Sequence, residues 1–586
     1  MLHKFYKSLR SLHTLVNISK NHKMNQNKCY FRYIEDEDTI NISFLHNVKD
    51  TLRQFNLNRK SSETLQTLCI RIAANVQKIC NKKSKKKSTD SDADIVVKIC
   101  DNKLNPISDD STCLNLFNYQ EPLVLKISEH LYDIVLNAPW VIRFNLPKAI
   151  IVGFPVYPES LNTLYTDQQL SIFKWYKGKA YNDKGKAISD AHIQWQFIVA
   201  SFYYTPTTDD IGFKLKCEFI PVNSTAIGPA VEDISKNVVE AGPGPCPFEI
   251  RHLFTTQKLH GKSFRCVSYN ILADLYCDSD HTRTILYPYC PPYALHIDYR
   301  KQLILKELQG YNADVICLQE VDRKIFNSSL LSFLACDGLK GLFYKKGKLV
   351  AEGLACFYRE TRFKLLGDKQ IFLAEALKSE ACLNKIWNTI RNNEPLVARV
   401  LDRSSVASAT FLQSTENPNE ILLVGNTHLY FHPDADHIRL IQGGIVIYWL
   451  SDLQKKLTKK YPGKRISIIL CGDFNSTPSC GIYQLFTTGS APENLPDWSS
   501  NANEAVKGLS LAQNVPLDSA CGTPQYTNFT EGFADCLDYI FYEKSNLVVK
   551  QVIPFPSEEE LKAHTALPSI VFPSDHIAVI SDLEFK

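Results

Sequence analysis

The chain has 586 residues, 44% of them apolar and 22% charged, and a net charge of +4. That apolar share fills cores and excludes wholesale disorder, and no run of about 18 apolar residues marks a membrane-crossing helix. The positive balance is local: residues 1–34 carry Lys4, Lys7, Arg10, Lys20, Lys23, Lys28 and Arg32 without an acid, and the remaining 552 residues hold 59 bases and 62 acids. A basic nucleic-acid footprint spread over the whole surface is thereby excluded.

In chain order, the acid-free segment 1–34 reads as an amphipathic mitochondrial presequence, because Lys7 and Arg10 interrupt any secretory apolar core. The expected location is the mitochondrial matrix. Initiation at Met24, the second of two methionines, would give a cytosolic form. Residues 35–222 are expected to form a β-rich domain. FRYI and ISFLHN alternate like strands, ETLQTLCIRIAANVQKI has helical spacing, and the charge run 81–94 reads as a solvated loop. Over 140–222, FKWYKG, IQWQFIVASFYYTP and DIGFKLKCEFIPV are short aromatic and β-branched strands around Trp175. They predict an immunoglobulin-like module without the usual cysteine pair.

GPGPCP near 242–247 marks a boundary, so 223–254 reads as a linker and 255–586 as a catalytic domain. There the texture changes to continuous apolar runs of strand length, such as DVICLQEV, ILLVGNTHLY and RISIILCGDFN, with helix-like segments YRKQLILKELQGY and HIRLIQGGIVIYWLSDLQKKL between them. Such runs imply strands covered on both faces, in a layered α/β domain. The 18 cysteines are never closer than nine residues and form no CxxC pair, so they read as buried thiols in a reducing compartment.

Chemistry is concentrated where these strands end. Asn270, Glu320, His428, Asp473, Asn475, Asp538 and the pair Asp575-His576 all close apolar runs. One polar strand end is an ordinary turn, but this many in one domain predict a shared pocket. Carboxylate and amide oxygens without cysteine suit Mg²⁺, with Mn²⁺ as the alternative, and such a site accepts phosphate as well. Asp473 could take the proton of an attacking water, and a protonated His576 could stabilise a pentacovalent phosphate. Asp575 could orient that imidazole or bond elsewhere, and Asn270 and Asn475 could donate to phosphate oxygens. The reaction so described is metal-assisted phosphodiester hydrolysis.

In order from 268 to 576, SYNILAD, CLQEVD, NTHLYFHP, CGDFNSTP, LDYIF and SDH resemble the motifs of the exonuclease–endonuclease–phosphatase superfamily. LYPYCPPYAL followed by DYRKQLILKEL is similar to its deadenylase branch. The resemblance implies a two-sheet α/β sandwich with the active site between the sheets. It implies Glu320 as the main Mg²⁺ ligand, with Asp473 and Asn475 in catalysis and metal or phosphate binding, and His576 on the scissile phosphate. Asn270, His428 and Asp538 match the remaining pocket positions, and Pro433 and Phe533 match a pair that sandwiches adenine. The implied partners are RNA poly(A) tails and 2′,5′-oligoadenylate, shortened from the 3′ terminus to release AMP; no membrane insertion and no protein partner are expected. A small-molecule dinucleotide phosphatase and a non-catalytic RNA adaptor are the alternatives, the latter disfavoured by the intact Glu320, Asp473 and His576. KGLFYKKGK (340–348), read as a loop, is a further place where an RNA backbone could bind, whereas QKKLTKKYPGKR (454–465) reads as a solvated helix face.

Overall fold

A computed structural model describes residues 23–48, 51–82, 95–347 and 350–586. The chain divides into two compact units, one of Met1–Lys148, Tyr157–Tyr204 and Gly212–Val239, the other of Ala149–Val156, Thr205–Ile211 and Glu240–Lys586.

The first unit holds a six-stranded sheet and a four-stranded sheet. In the six-stranded sheet, Lys28–Ile34 lies between two partners, antiparallel to Thr39–Val48 and parallel to His130–Leu136. The helix Leu65–Lys82 contributes Leu68, Ile72 and Val76 to the same core as Phe31, Ile42 and Phe44. The predicted presequence 1–34 therefore runs into folded structure. Lys23 pairs with Glu218 at 3.1 Å and Glu232 at 2.9 Å, and the buried Arg32 stacks 3.7 Å from the Trp140 ring. A cut at residue 34 would remove a strand that is paired on both edges; residues 1–22 lie outside the described residues. So does most of the 81–94 charge run, whose positions 83–94 are undescribed.

The four-stranded antiparallel sheet runs Gln196–Ala200, Asp167–Lys179, Phe213–Val222, Val231–Ile234. Trp175 is buried in it and donates its indole N–H to Ser201 O at 2.9 Å. The short pair Trp140–Arg143 and Asn162–Leu164 forms a separate two-stranded sheet, so the module is β-rich, as its texture predicts. The segment read as a linker, 223–254, is structured too. Val231–Ile234 is a strand of the first unit, and Pro247–His252 is a helix of the second.

The second unit carries two six-stranded sheets. In one, Val315–Asp322 and Ser263–Asn270 are parallel neighbours, and Val579–Phe585 pairs antiparallel beyond them. In the other, Glu420–His428 and Arg465–Asp473 are parallel neighbours flanked by Asp538–Glu543. Strand residues alternate between faces. Leu422, Val424, Ile469 and Cys471 share a core with Cys266, Val315 and Cys317 of the other sheet, while Ile421, Leu423, Ile468 and Leu470 share one with Ile441, Ile445 and Leu450 of the helix Asp436–Lys460. Each sequence run is continuously apolar because both faces are covered, and each such side chain contributes about 1.5–3 kcal/mol by leaving water. Gly443 lets that helix sit close: a Cβ there would fall 2.5 Å from Ile482 Cδ1. All 18 cysteines are free thiols, and Cys266 and Cys471 meet Sγ to Sγ at 3.6 Å between the sheets.

Candidate active site

Register brings the polar strand ends together. His428 is opposite Asp473 on parallel strands, and Asp473 is opposite Asp538 on an antiparallel pair, so three adjacent strands present His, Asp, Asp in one row. In the other sheet Asn270 lies opposite Gln319. The ladder between the Glu320 strand and Glu352–Arg359 slips between Leu318 and Val321, and Glu320 adopts a left-handed φ of 53°. A bulge re-aims a side chain, and non-glycine residues held in this region cluster at functional sites. Asn475 is left-handed as well, with φ 48°.

The Asn270 amide joins the two sheets. Its Nδ2 donates to Glu320 Oε1 at 3.1 Å and to Asp473 Oδ2 at 3.0 Å. Both amide protons are thus committed to carboxylates, which differs from the expected donation to phosphate. Glu320 Oε2 accepts from Ala273 N at 3.0 Å, and Asp473 Oδ1 from Asn475 N at 2.9 Å. The Asn475 amide donates to Leu429 O at 3.1 Å.

The two imidazoles are opposites. Burial disfavours charge on His576, but Asp538, Asp473 and Asp575 outweigh it and hold the ring protonated, well above the ordinary histidine value. Its Nδ1 donates to Asp538 Oδ2 at 2.8 Å, and its Nε2 is 3.6 Å from Asp473 Oδ2. His428 Nε2 is equally 3.6 Å from Asp473 Oδ2 and 4.0 Å from Glu320 Oε1. Burial, reinforced by Lys346 and His576, nevertheless drives its pKa well below the usual value, so His428 is neutral and these contacts are not ion pairs. Environments that push two like groups apart assign them different tasks.

The carboxylates are strained by one another. Burial, then Glu352 and Asp575, raise Glu320 to about 7; burial, then Asp538, raise Asp473 to about 6. Asp538 Oδ1 is buried without a hydrogen-bond partner among the described residues. This oxygen-rich, under-compensated set fits a divalent cation. Asp473, Asp538 and His576 also bring ligand atoms within 4.8 Å of one another. The protonated His576 already neutralises that corner, so a cation is better accommodated on the Glu320 side.

Asp575 does not orient the imidazole. It accepts from Tyr287 OH at 3.0 Å and Asn528 Nδ2 at 3.3 Å, while Asp538 holds His576. Pro433 and Phe533 are both exposed, Phe533 by 46%, so Phe533 is no core residue. KGLFYKKGK is not a loop: Leu339–Lys345 is a strand, and Lys346 pairs with the buried Glu352 at 2.6 Å. Sequence reasoning missed Thr527, whose hydroxyl donates to Asp538 Oδ2 at 2.7 Å and accepts from Asp538 N at 3.0 Å. It also missed Ser574, which donates to Asn270 O at 2.7 Å and accepts from His576 N at 3.1 Å. A hydroxyl in a turn carries no signal of either role.

Residues 267–576 match the Endonuclease/Exonuclease/phosphatase family, and residues 138–240 match the 2′,5′-phosphodiesterase 12-like N-terminal domain. The chain is 46% identical to 2′,5′-phosphodiesterase 12 of Rattus norvegicus over 482 residues, which are 81% of this chain and 78% of the relative. It is 31% identical over 339 residues to the CCR4-Not complex 3′-5′-exoribonuclease subunit Ccr4 of Candida albicans, spanning 55% of this chain and 41% of that one. A solved structure of ANGEL2, a 2′,3′-cyclic phosphatase, aligns at 23% identity over 56% of this chain and 97% of its own, with a TM-score of 0.46.

The chain therefore belongs to the endonuclease/exonuclease/phosphatase family and, within it, to the family of the 2′,5′-phosphodiesterases 12. It is a phosphodiester hydrolase of a divalent-metal-dependent family, and its acidic cluster suits such an ion.

Proposed function

We propose that this protein shortens 2′,5′-linked oligoadenylate and 3′,5′ poly(A) from the terminal nucleotide, releasing AMP, with Mg²⁺ or Mn²⁺ as its metal. The carrying observation is the row His428–Asp473–Asp538, closed by protonated His576 and tied through Asn270 to Glu320. Glu320, with Asp473 and Asn475, would hold the metal, which when bound polarises a phosphoryl oxygen and neutralises developing charge. Asp473 accepts the proton of the attacking water as its oxygen bonds to phosphorus. The bond to the neighbouring ribose oxygen breaks, and that oxygen takes a proton from solvent as it leaves. Imidazolium His576, braced by Asp538, donates to a phosphate oxygen whose charge grows in the transition state. Neutral His428 has a ring N–H to offer a phosphate oxygen without adding charge. Pro433 and Phe533 stack on the adenine.

Purified protein assayed with 2′,5′-triadenylate, poly(A) and poly(U), each with Mg²⁺ or EDTA, tests this reading. AMP is expected from the two adenylates with Mg²⁺ only; no product from any of them overturns the reading, and equal rates on A and U remove the adenine sandwich.

The targeting segment is proposed to lie before Lys23, since Lys23, Lys28 and Arg32 serve the first unit, and to deliver the chain to the mitochondrial matrix. Residues 1–34 fused to a fluorescent protein should label mitochondria, and a diffuse cytosolic signal would contradict this.

A further inference from the structure

Phe431 is the most exposed large hydrophobic side chain among the described residues, at 71%. It lies three residues beyond His428, so its Cα is within about 11 Å of that residue's Cα. An isolated exposed phenylalanine needs no explanation by itself, but the backbone around this one is pinned. Before it, Leu429 N donates to Asp473 O at 3.0 Å and Tyr430 N to the buried Gln442 at 3.0 Å. On both sides of it, the buried Arg439 Nη1 donates to Tyr430 O at 3.1 Å and to His432 O at 2.6 Å. Tyr430 carries the Arg403 guanidinium 4.6 Å from its ring centre, and Arg399 holds Asp434 through two hydrogen bonds of 3.2 and 2.5 Å. Tyr430 and Asp434 are thus spent on holding the loop, and Phe431 is left presented to solvent from a rigid frame.

Resting on the adenylate reading above, we propose that Phe431 is the stacking platform for the nucleobase adjacent to the one gripped by Pro433 and Phe533. Three arguments converge. An aromatic face accepts any base. A pinned backbone spares the ordering entropy that a mobile loop would lose on binding. The floor of this site is crowded with carboxylates and the chain outside its first 34 residues is net acidic, so affinity for a second nucleotide has to come from stacking more than from surface charge.

The test uses the full chain with 2′,5′-triadenylate and with the same trimer whose penultimate base is replaced by an abasic residue. Phe431→Ala is expected to raise KM about ten-fold on the intact trimer, the scale of one lost base stack, with kcat changed less than two-fold. On the abasic trimer wild type and Phe431→Ala should have equal KM, and Phe431→Trp should restore the intact-trimer value. An equal KM penalty on both substrates, or none on either, overturns the proposal. If wild type turns over neither trimer, the adenylate reading falls as well; if wild type is active and Phe431→Ala is silent, only the platform falls.

Discussion

The side chains at the strand ends and those on the adjoining loops differ in every physical respect. Asn270, Asp473, Asp538 and His576 are buried, with Asn270 bonded to Asp473 and His576 to Asp538, whereas Phe431 and Phe533 are 71% and 46% exposed. Asn270, Asp473 and Asp538 are set by sheet register, which two buried faces make hard to shift. The loop aromatics are free to meet a flat ligand. On the proposed reading, chemistry in this molecule is placed where geometry is over-determined, and recognition where surface remains to be covered.

Substitutions at the floor should break the rate and those on the loops should break discrimination. Glu320→Ala should have the largest effect, lowering kcat by about 10³-fold or more while the circular dichroism spectrum is unchanged; near-normal turnover would reject Glu320 as the metal ligand. Asp538→Asn comes next, costing about 10²-fold. It removes the carboxylate bonded to His576, so the imidazole loses its proton at lower pH and the basic limb of the pH–rate profile moves down. Asp575→Asn is the milder comparison, because Asp575 bonds Tyr287 and Asn528 and reaches His576 only through its charge: it should cost about 1–2 kcal/mol of stability and move that limb down less than Asp538→Asn does. Phe533→Ala should cost about 1–3 kcal/mol of adenylate binding, read as a collapse of the ratio of KM on poly(U) to KM on poly(A).

The smallest effect is a pH dependence of metal-free stability. Glu320 and Asp473 have folded pKa values raised to about 7 and about 6, so the native state holds more protons than the unfolded chain between about pH 4 and 7, and stability falls as pH rises through that window. Glu320→Gln should flatten the slope of Tm against pH there, and saturating Mg²⁺ should flatten it in wild type. A slope unchanged by either would mean that the carboxylates are not under-compensated.

The residues of the floor were legible as a set, because a charged or amide residue ending an apolar strand is conspicuous in the sequence. Their pairings were not. Asp575 and Asp538 are equally plausible partners for His576 on paper, and the nearer one in sequence is the wrong one: a side chain next along the chain is aimed elsewhere, while Asp538 faces His576 across 38 residues. Asn270 looked like a phosphate donor, and the fold spends its amide on two carboxylates from different sheets. At the other end of the chain, Lys28–Ile34 looked like part of a removable leader because basic, acid-free composition says nothing of a parallel pairing with residues about one hundred positions away.

By itself the sequence determined that the second half is a layered α/β body with covered strands, that its polar residues collect at strand ends, and that the chain's net positive charge belongs to the first 34 residues. These follow from local patterning, which the chain carries at every position. The tertiary structure alone decided that the bulge at Glu320 brings it beside Asp473, that His576 is charged and His428 neutral, and that the folded first unit begins by Lys23. Each of these depends on which distant groups meet in a buried place, where the loss of water makes a neighbouring carboxylate or imidazole count for far more than it does on an open chain.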